Sequence, residues 1–496
     1  MKGTYELRTF GCKANFYDSQ VISGAFRDLG WSQVSKGSLP DVVVINSCTV
    51  THAAERQARK LASRIRRENA EARVVMTGCA AEVSPEEMAA AKGVHFVVGN
   101  QDKYRLAELV VRAAQEGLPD AGAGTVLGGV TSYGQLRARH PIDREWPMPE
   151  TAFVSPGTEG NTTRVFIKIQ EGCDAFCTFC IIPFGRGPSR SLPVSDLVER
   201  VRELEGQGVK EVVLTGTNLG EYGMNFDPAL CFEDLLEALL SQTQIERIRI
   251  SSLDPSEITP RLLGIMETES RLCPHIHISL QSPDSTILRR MKRNYREDEV
   301  NRALFAIAET SKVLERTRDL PGGIFVGMDV IAGFPGETEE IFEKTYNQFR
   351  SLPWNRLHVF PYSERQGTAA VRLDGVVPVA ERKARVRKLM ALSTRRLWEG
   401  YQGLVEDGRS LEVLVEGGID TGQEIPFLSC TTANYLRVLV PFENPALLEN
   451  KTVWVQPRDL QINERAGDVA LFADLDTGAW RQVDNSITLH EAAIPA

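Results

Sequence analysis

The sequence predicts an α/β protein in three parts: an amino-terminal domain on a parallel sheet, an incomplete (β/α)6 barrel, and a small β-barrel-like domain at the carboxyl end. Three observations lead there. Short apolar runs alternate with stretches of helical period over residues 1–118 and again over 164–398. Alternation at this spacing implies parallel strands joined by helical crossovers. Between the two blocks, residues 119–163 are rich in Gly and Pro and weakly periodic, which reads as a linker. After Gly400 helical patterning gives way to strand composition and turn residues. A chain of 496 residues is long enough for about three domains and more than one core.

In the first part TYELRTFG, DVVVINS, ARVVMTG and VHFVVG read as strands. SQVISGAFRDLG lies between the first two, with Val21, Ile22, Phe26 and Leu29 at helical spacing and Gly30 as its stop. THAAERQARKLASRIRREN is the second helix. DVVVINS is almost wholly apolar before it turns polar, as a sheet covered on both faces requires. In the second part the strands are RVFIKIQE, KEVVLTG, IERIRISS, HIHISLQ, IFVGMDVIAG and RLHVFPYS. Helices such as SDLVERVRELEGQG, with Ser195 as its N-cap, and EIFEKTYNQFRSL separate them. Residues 399–462 hold RSLEVLVEG, NYLRVLVPF and KTVWVQPRDL and form the small β domain. Residues 463–496 read as an extension without a functional signal.

Composition is that of a soluble globular protein, 42% hydrophobic and 25% charged. A formal net charge of -9 excludes a general nucleic-acid coat, so any RNA contact must rely on local patches. No apolar run approaches the roughly 20 residues of a membrane helix, and MKGTYELRTFGC carries charges where a secretory signal would be apolar. A cytoplasmic place, with no membrane partner, is expected. Nine cysteines in this length are no disulfide scaffold.

Three of those cysteines, Cys173, Cys177 and Cys180, fall within GCDAFCTFC. A structural zinc site wants four protein ligands. The next cysteine is Cys231, Asp174 is a weak substitute, and no histidine is near. A zinc knuckle with a distant fourth ligand and a cubane cluster with one open iron both remain open. Cys12, Cys48 and Cys79 each follow one of the first three strands, so a parallel sheet would bring them to one rim.

EGCDAFCTFCIIPFGRGPSRS resembles the cluster loop of radical-SAM enzymes, and more narrowly of the methylthiotransferase family. TFGCKANFYDSQ, VVVINSCTVT and VVMTGCAAE match that family's amino-terminal domain. LTGTNLGEYG, SSLDP, ISLQSPDSTILRRMKRNY and DVIAGFPGET match its radical-SAM core, and the β-rich end resembles its RNA-binding TRAM domain. The likeness covers about residues 1–460.

The resemblance implies an enzyme with two [4Fe-4S] clusters, one on Cys12, Cys48 and Cys79 for sulfur insertion and one on Cys173, Cys177 and Cys180 for S-adenosylmethionine. One electron would cleave S-adenosylmethionine to a 5'-deoxyadenosyl radical, which takes a hydrogen from the substrate. It places methionine-moiety contacts at Thr215, Gly216, Thr217 and Asn218, and adenine contacts near Gly333 of GFPGE. Phe179 either packs on the adenine or covers the cluster; Ser251, Ser252, Ser279 and Gln281 either contact the nucleoside or cap strand ends. No catalytic residue beyond the ligands is assigned.

TFGCKAN and GRGPSRS resemble the branch acting on N6-threonylcarbamoyladenosine at tRNA position 37, with Ala14 replacing a commoner valine. Alternatives are the isopentenyladenosine branch, the branch acting on a ribosomal-protein aspartate, and a non-catalytic RNA-binding iron-sulfur protein. An electron donor such as flavodoxin or ferredoxin and a sulfur donor are the further partners implied.

Basic clusters offer phosphate contacts, with Arg64 and Arg67 after the Cys48 loop, Arg289, Lys292 and Arg293 near the barrel rim, and Arg387 and Lys388 before the β domain. The first and last of these also read as a solvated helix face balanced by acids, and the cluster near the barrel rim is the better placed. Tyr435 and Arg437 are either an RNA-facing pair or core packing. Cys231, Cys273 and Cys430 read as packing residues; His52 and His95 lie near the first cysteine set, and His275 and His277 on one face of a strand.

Overall fold

The computed structural model describes residues 3–35, 38–50, 52–115, 124–128, 163–419, 425–463 and 468–476. Most of the expected linker and the end of the expected extension lie outside them. The first part runs β1 (Thr4–Thr9), α1 (Lys13–Asp28), β2 (Ser32–Gln33), β3 (Val42–Ser47), α2 (His52–Glu68), β4 (Arg73–Gly78), α3 (Cys79–Val83), α4 (Pro85–Ala89), β5 (Phe96–Val98), α5 (Leu106–Gln115) and β6 (Thr125–Leu127). Its strands form one parallel sheet in the order β2-β1-β3-β4-β5-β6. All six residues of β3 are buried. Val43 and Ile45 face α2 and α4, while Val42 and Val44 face α1 and α5, so the apolar run feeds two cores. β6 falls within the expected linker; Thr125–Leu127 is too short a run to read as a strand without its partner β5.

The second part runs β7 (Arg164–Lys168), β8 (Gln170–Glu171), α6 (Ile182–Arg186), β9 (Arg190–Ser191), α7 (Val194–Gly206), β10 (Glu211–Thr215), α8 (Phe232–Gln242), β11 (Arg247–Ile250), β12 (Ser252–Leu253), α9 (Pro260–Thr268), β13 (His275–Gln281), α10 (Ser285–Arg290), α11 (Glu297–Thr317), β14 (Phe325–Ala332), α12 (Glu339–Ser351), β15 (Arg356–Pro361) and α13 (Val379–Asp407). All six expected strands are present. The parallel order is β7-β10-β11, then β12-β13-β14-β15; only Ser251 separates β11 from β12, and a bridge from Ile248 to Leu272 links the halves. Among the described residues β7 and β15 are unpaired with each other, so the barrel is open there. Helix α1 lies along β7, with Tyr17 in the barrel's apolar core and Asp18 bonded to Lys168.

Side-chain alternation divides each strand of the barrel. Val165, Ile167, Val212, Leu214, Ile248, Ile250, Ile276, Ile278, Val326 and Met328 pack outward under the helices. The alternate set, which includes Thr215, Arg249, Ser251, His277, Asp329 and His358, faces the interior. The barrel is therefore polar inside and apolar outside, which suits a chamber for a polar ligand. Helix α7 begins at Val194 after Pro193, so Ser195 is inside its first turn, bonded to Asp196, and is not the N-cap.

The third part is a closed barrel in the order β16-β17-β18-β20-β19, built from β16 (Leu411–Ile419), β17 (Phe427–Thr432), β18 (Arg437–Pro441), β19 (Thr452–Asn463) and β20 (Asp468–Leu475). Two expected boundaries shift. Closure requires β20, which pairs with both β18 and β19, so this unit runs past residue 462. Helix α13 continues through Gly400, because Leu397, Tyr401 and Leu404 bury against the small barrel. Cys273 and Cys430 are packing residues, but Cys231 is exposed at the start of α8.

Candidate active site

Strands β1, β3 and β4 are neighbours, so their carboxyl ends set Cys12, Cys48 and Cys79 side by side. Cys12 caps α1 and Cys79 opens α3. Two glycines allow the loops to meet. Gly11 has φ +103, and a Cβ there would lie 2.7 Å from Cβ of Cys48; Gly78 has φ +89, and a Cβ would lie 2.3 Å from the Ser47 carbonyl oxygen. Asn15 Nδ2 donates to the carbonyls of Phe10 (2.7 Å) and Ser47 (3.1 Å), tying the Cys12 and Cys48 loops together. The Val50 N–H donates to the Cys48 sulfur at 3.4 Å, and Asn100 Nδ2 to the Cys79 sulfur at 3.5 Å. Burial, reinforced by Cys79, pushes the Cys48 thiol up to about 12. Burial also raises Cys79, with Arg186 opposing. Thiols so placed ionise when a cation is bound among them.

The second set hangs on the loop between β8 and α6. Gly172 has φ +83 and passes so close to Pro188 that a Cβ would lie 1.8 Å from its carbonyl oxygen. Arg293 Nη1 donates to the Cys177 sulfur at 3.1 Å, and Asn218 Nδ2 lies 3.7 Å from the Cys173 sulfur. Glu221 Oε1 is 3.8 Å from the same sulfur. Burial raises Cys173, and with Cys177 raises Cys180 to about 12. The two triads face one another. Gly185 of α6 lies where a Cβ would sit 3.5 Å from Cβ of Cys79, and Asn100 Nδ2 donates to the Gly185 carbonyl at 2.7 Å.

These residues fit clusters better than single ions. A structural zinc ion wants four protein ligands, and each set offers three thiols. Asp174, the weak fourth ligand, turns away: its Oδ1 accepts from the Ser189 N–H. His52 contacts Arg365, and His95 Nδ1 accepts from the Val74 N–H, so neither joins the first triad.

Of the other expected residues, Asn218 lies against the Cys173 sulfur and Ser279 is tied to Cys177 through Arg293. Gln170, which sequence reasoning missed, is the hub. Its Oε1 accepts from the N–H groups of Thr217 (2.9 Å) and Asn218 (3.0 Å), and its Nε2 donates to the Gly172 carbonyl and the Ser189 hydroxyl. Thr215 is buried, Gly216 lies over Gln170, and Thr217 Oγ1 accepts from the Gly172 N–H. The buried Ser251 hydroxyl has no hydrogen-bond partner among the described residues, which fits a polar ligand in the chamber. Ser279 offers its carbonyl to Tyr295 and Arg293, and Gln281 has φ +63 at the rim. Phe179 packs edge-on against Phe334, ring centres 6.3 Å apart, which joins the cluster loop to GFPGE. Gly333, φ +76, leaves space for Arg382: a Cβ would lie 2.3 Å from its Cγ.

The basic residues separate by environment. Arg64 and Arg67 line a cavity of about 810 Å³ with Arg8, Arg56, Arg59 and Lys60. Phe10 is also in its wall, two residues before Cys12. Arg289, Lys292 and Arg387 are exposed. Arg293 is not an RNA-facing residue: its guanidinium is turned inward to Cys177, Asp254 and Tyr295. Lys388 is held by Glu343 at 2.5 Å and lies over the Tyr346 ring. Tyr435 closes the barrel floor instead of facing RNA, its ring 4.5 Å from His275 and 4.7 Å from the Arg249 guanidinium.

Comparison with known proteins agrees with this geometry. Residues 4–99 match the model of uncharacterized protein family UPF0004, and residues 167–349 that of the radical SAM superfamily. The chain is 35% identical to the threonylcarbamoyladenosine tRNA methylthiotransferase MtaB of Bacillus subtilis, over 88% of this chain and 90% of that protein. It is 36% identical to the MtaB of Aquifex aeolicus, over 84% and 93%. A tRNA-2-methylthio-N(6)-dimethylallyladenosine synthase of Syntrophomonas wolfei is 32% identical, over 85% and 88%. With two facing cysteine triads and relatives of this identity along most of its length, the chain belongs to the radical-SAM methylthiotransferase family.

Proposed function

We propose that this protein adds a methylthio group to C2 of N6-threonylcarbamoyladenosine at position 37 of tRNA. The observation that carries the reading is the juxtaposition of the triads across α3 and α6 at the mouth of a polar barrel. A hydrogen-abstracting centre and a sulfur-donating centre must share one small space, or the activated substrate is lost before sulfur reaches it. Cys173, Cys177 and Cys180 would hold the cluster that binds S-adenosylmethionine; Cys12, Cys48 and Cys79 would hold the other. Once bound, these groups supply one-electron cleavage of the sulfonium and a transferable sulfur.

The chain's own residues orient and enclose. Gln170 fixes the Thr217–Asn218 turn against the cluster loop. Ser251, whose hydroxyl has no partner among the described residues, is the candidate contact for the nucleoside part of S-adenosylmethionine. Phe179 is assigned as cover, through Phe334. The basic cavity beside Phe10 would guide the tRNA backbone to the Cys12 side, with Arg64 and Arg67 among its phosphate contacts. Arg289, Lys292 and Arg387 remain exposed candidates. The threonylcarbamoyl assignment rests on TFGCKAN and on the names of the MtaB relatives. A one-electron donor such as flavodoxin or ferredoxin and a sulfur donor complete the cycle. The domain limits we adopt are 1–128, 163–407 and 408–476.

Nucleoside mass spectrometry of bulk tRNA from cells with and without the gene tests the proposal. Loss of 2-methylthio-N6-threonylcarbamoyladenosine with accumulation of its precursor is expected. Loss of the isopentenyl form alone would reassign the branch. No change in any nucleoside would overturn the tRNA reading.

A further inference from the structure

Five acidic and basic side chains lie buried between the amino-terminal domain and the barrel, and the chemistry above does not use them. Lys103 Nζ reaches Glu171 at 2.5 Å and Asp18 at 3.2 Å. Lys168 Nζ reaches Asp18 at 2.5 Å and Glu171 at 3.1 Å. Arg186 reaches Glu171 at 2.5 Å and Asp18 at 3.0 Å. None of the five is more than 3% exposed. Asp18 and Lys103 come from the first domain; Lys168, Glu171 and Arg186 come from the core.

Among the described residues of this network, three cations face two carboxylates, a surplus of one positive charge within it. A buried charge without a partner is costly, so a surplus of this kind needs an anion beside it. The first triad is that neighbour. Arg186 Nη2 donates to Asn15 Oδ1 at 2.5 Å, and Asn15 holds the loops of Cys12 and Cys48 through Phe10 and Ser47. Arg186 also ends α6, whose Gly185 carbonyl receives Asn100, the residue bonded to the Cys79 sulfur. A resting cubane core carries two positive charges, so three thiolates leave the assembly with one negative charge.

We infer that the surplus cation of this network is the counter-charge of the first cluster, and that Arg186, through Asn15 and beside the Asn100 tie, sets that cluster in register with the second. Loading of the first triad and seating of the amino-terminal domain on the barrel are then one event. The inference rests on the two-cluster reading and is independent of which nucleoside is modified.

The test uses the full-length protein reconstituted anaerobically with iron and sulfide. Iron and sulfide per chain are measured, and each cluster's midpoint potential is followed by electron paramagnetic resonance. The second cluster is identified by its response to added S-adenosylmethionine. Lys103→Met removes the surplus charge and leaves two cations facing two carboxylates. It is expected to lower the potential of the first cluster and leave the second unchanged, because positive charge stabilises the reduced, more negative form and less of it then remains beside the first cluster. Arg186→Gln is expected to cut iron and sulfide to about half by emptying the first triad, with Arg186→Lys restoring part of it. An unchanged first-cluster potential in Lys103→Met would overturn the counter-charge role; equal loss of both clusters from a folded Arg186→Gln protein would overturn the registry role. If Arg186→Gln does not fold, Lys103→Met alone decides.

Discussion

Gly78 shows how tightly single residues constrain the first triad. Its φ of +89 suits glycine, and an added Cβ would meet the Ser47 carbonyl and Asn46 at 2.3 and 2.4 Å. Backbone cannot yield as a side-chain tip does. Gly78→Ala is expected to destabilise the fold by more than about 2 kcal/mol and to halve bound iron, read by denaturant unfolding and metal analysis. His358 supplies a pH dependence. Burial, with His277 beside it, pulls its imidazole from 6.5 down to about 4. Between those values the unfolded chain takes up a proton that the folded chain refuses, so stability falls as pH drops through the window. The thermal midpoint should decline from pH 6.5 to 4, and His358→Gln should flatten that decline. Cys173, Cys177 and Cys180 stood out as a cluster in the sequence, and Cys12, Cys48 and Cys79 because each follows a strand that the parallel sheet sets beside the next. Gln170, Asn15, Asn100 and Arg186 were not legible there, because each acts on a partner brought near only by folding. Asn100 and Gly185, for example, are bonded across 85 positions.

Elements were legible wherever their periodicity was complete within a short stretch. The four strands of the first domain and the six of the barrel followed from apolar runs between helical segments. Strands β2 and β6, two and three residues long, exist only through pairing with β1 and β5. Helix α13 exceeded its reading because Gly400 resembles a stop. Tertiary burial of Tyr401 and Leu404 overrides that local signal. A Cβ at Gly400 or Gly403 would have nothing within 4 Å. Gly400→Ala and Gly403→Ala should therefore each stabilise by about 0.5–1 kcal/mol, seen as a higher midpoint in thermal unfolding. Failure to stabilise would mean that the helix end is formed only weakly.

At the scale of the molecule, the net charge of -9 conceals a local basic cavity. Arg56, Arg59, Lys60, Arg64 and Arg67 were visible as a helical cluster, but their convergence with Arg8 depends on the packing of α2 over β3 and β4, beside β1. Neutralising phosphates releases counterions, so each lost contact lowers the salt slope by about 1. Arg64→Glu with Arg67→Glu should weaken tRNA binding and flatten that slope in a filter-binding salt series, while S-adenosylmethionine cleavage without tRNA stays intact. An unchanged slope would move the RNA interface elsewhere. The proposed division of labour between the triads comes from the family resemblance of their two sequence contexts. Their approach across α3 and α6 could not be read there, because neither helix exceeds five residues and their contact joins separate domains.

The most direct measurement of that division follows two products together. Wild type, Cys79→Ala and Cys180→Ala proteins are reacted anaerobically with S-adenosylmethionine, reductant and tRNA bearing N6-threonylcarbamoyladenosine. 5'-Deoxyadenosine and the methylthiolated nucleoside are both quantified. Wild type is expected to form both, Cys79→Ala only 5'-deoxyadenosine, and Cys180→Ala neither. Methylthiolated nucleoside from Cys79→Ala, or 5'-deoxyadenosine from Cys180→Ala, would contradict the assignment of the two triads.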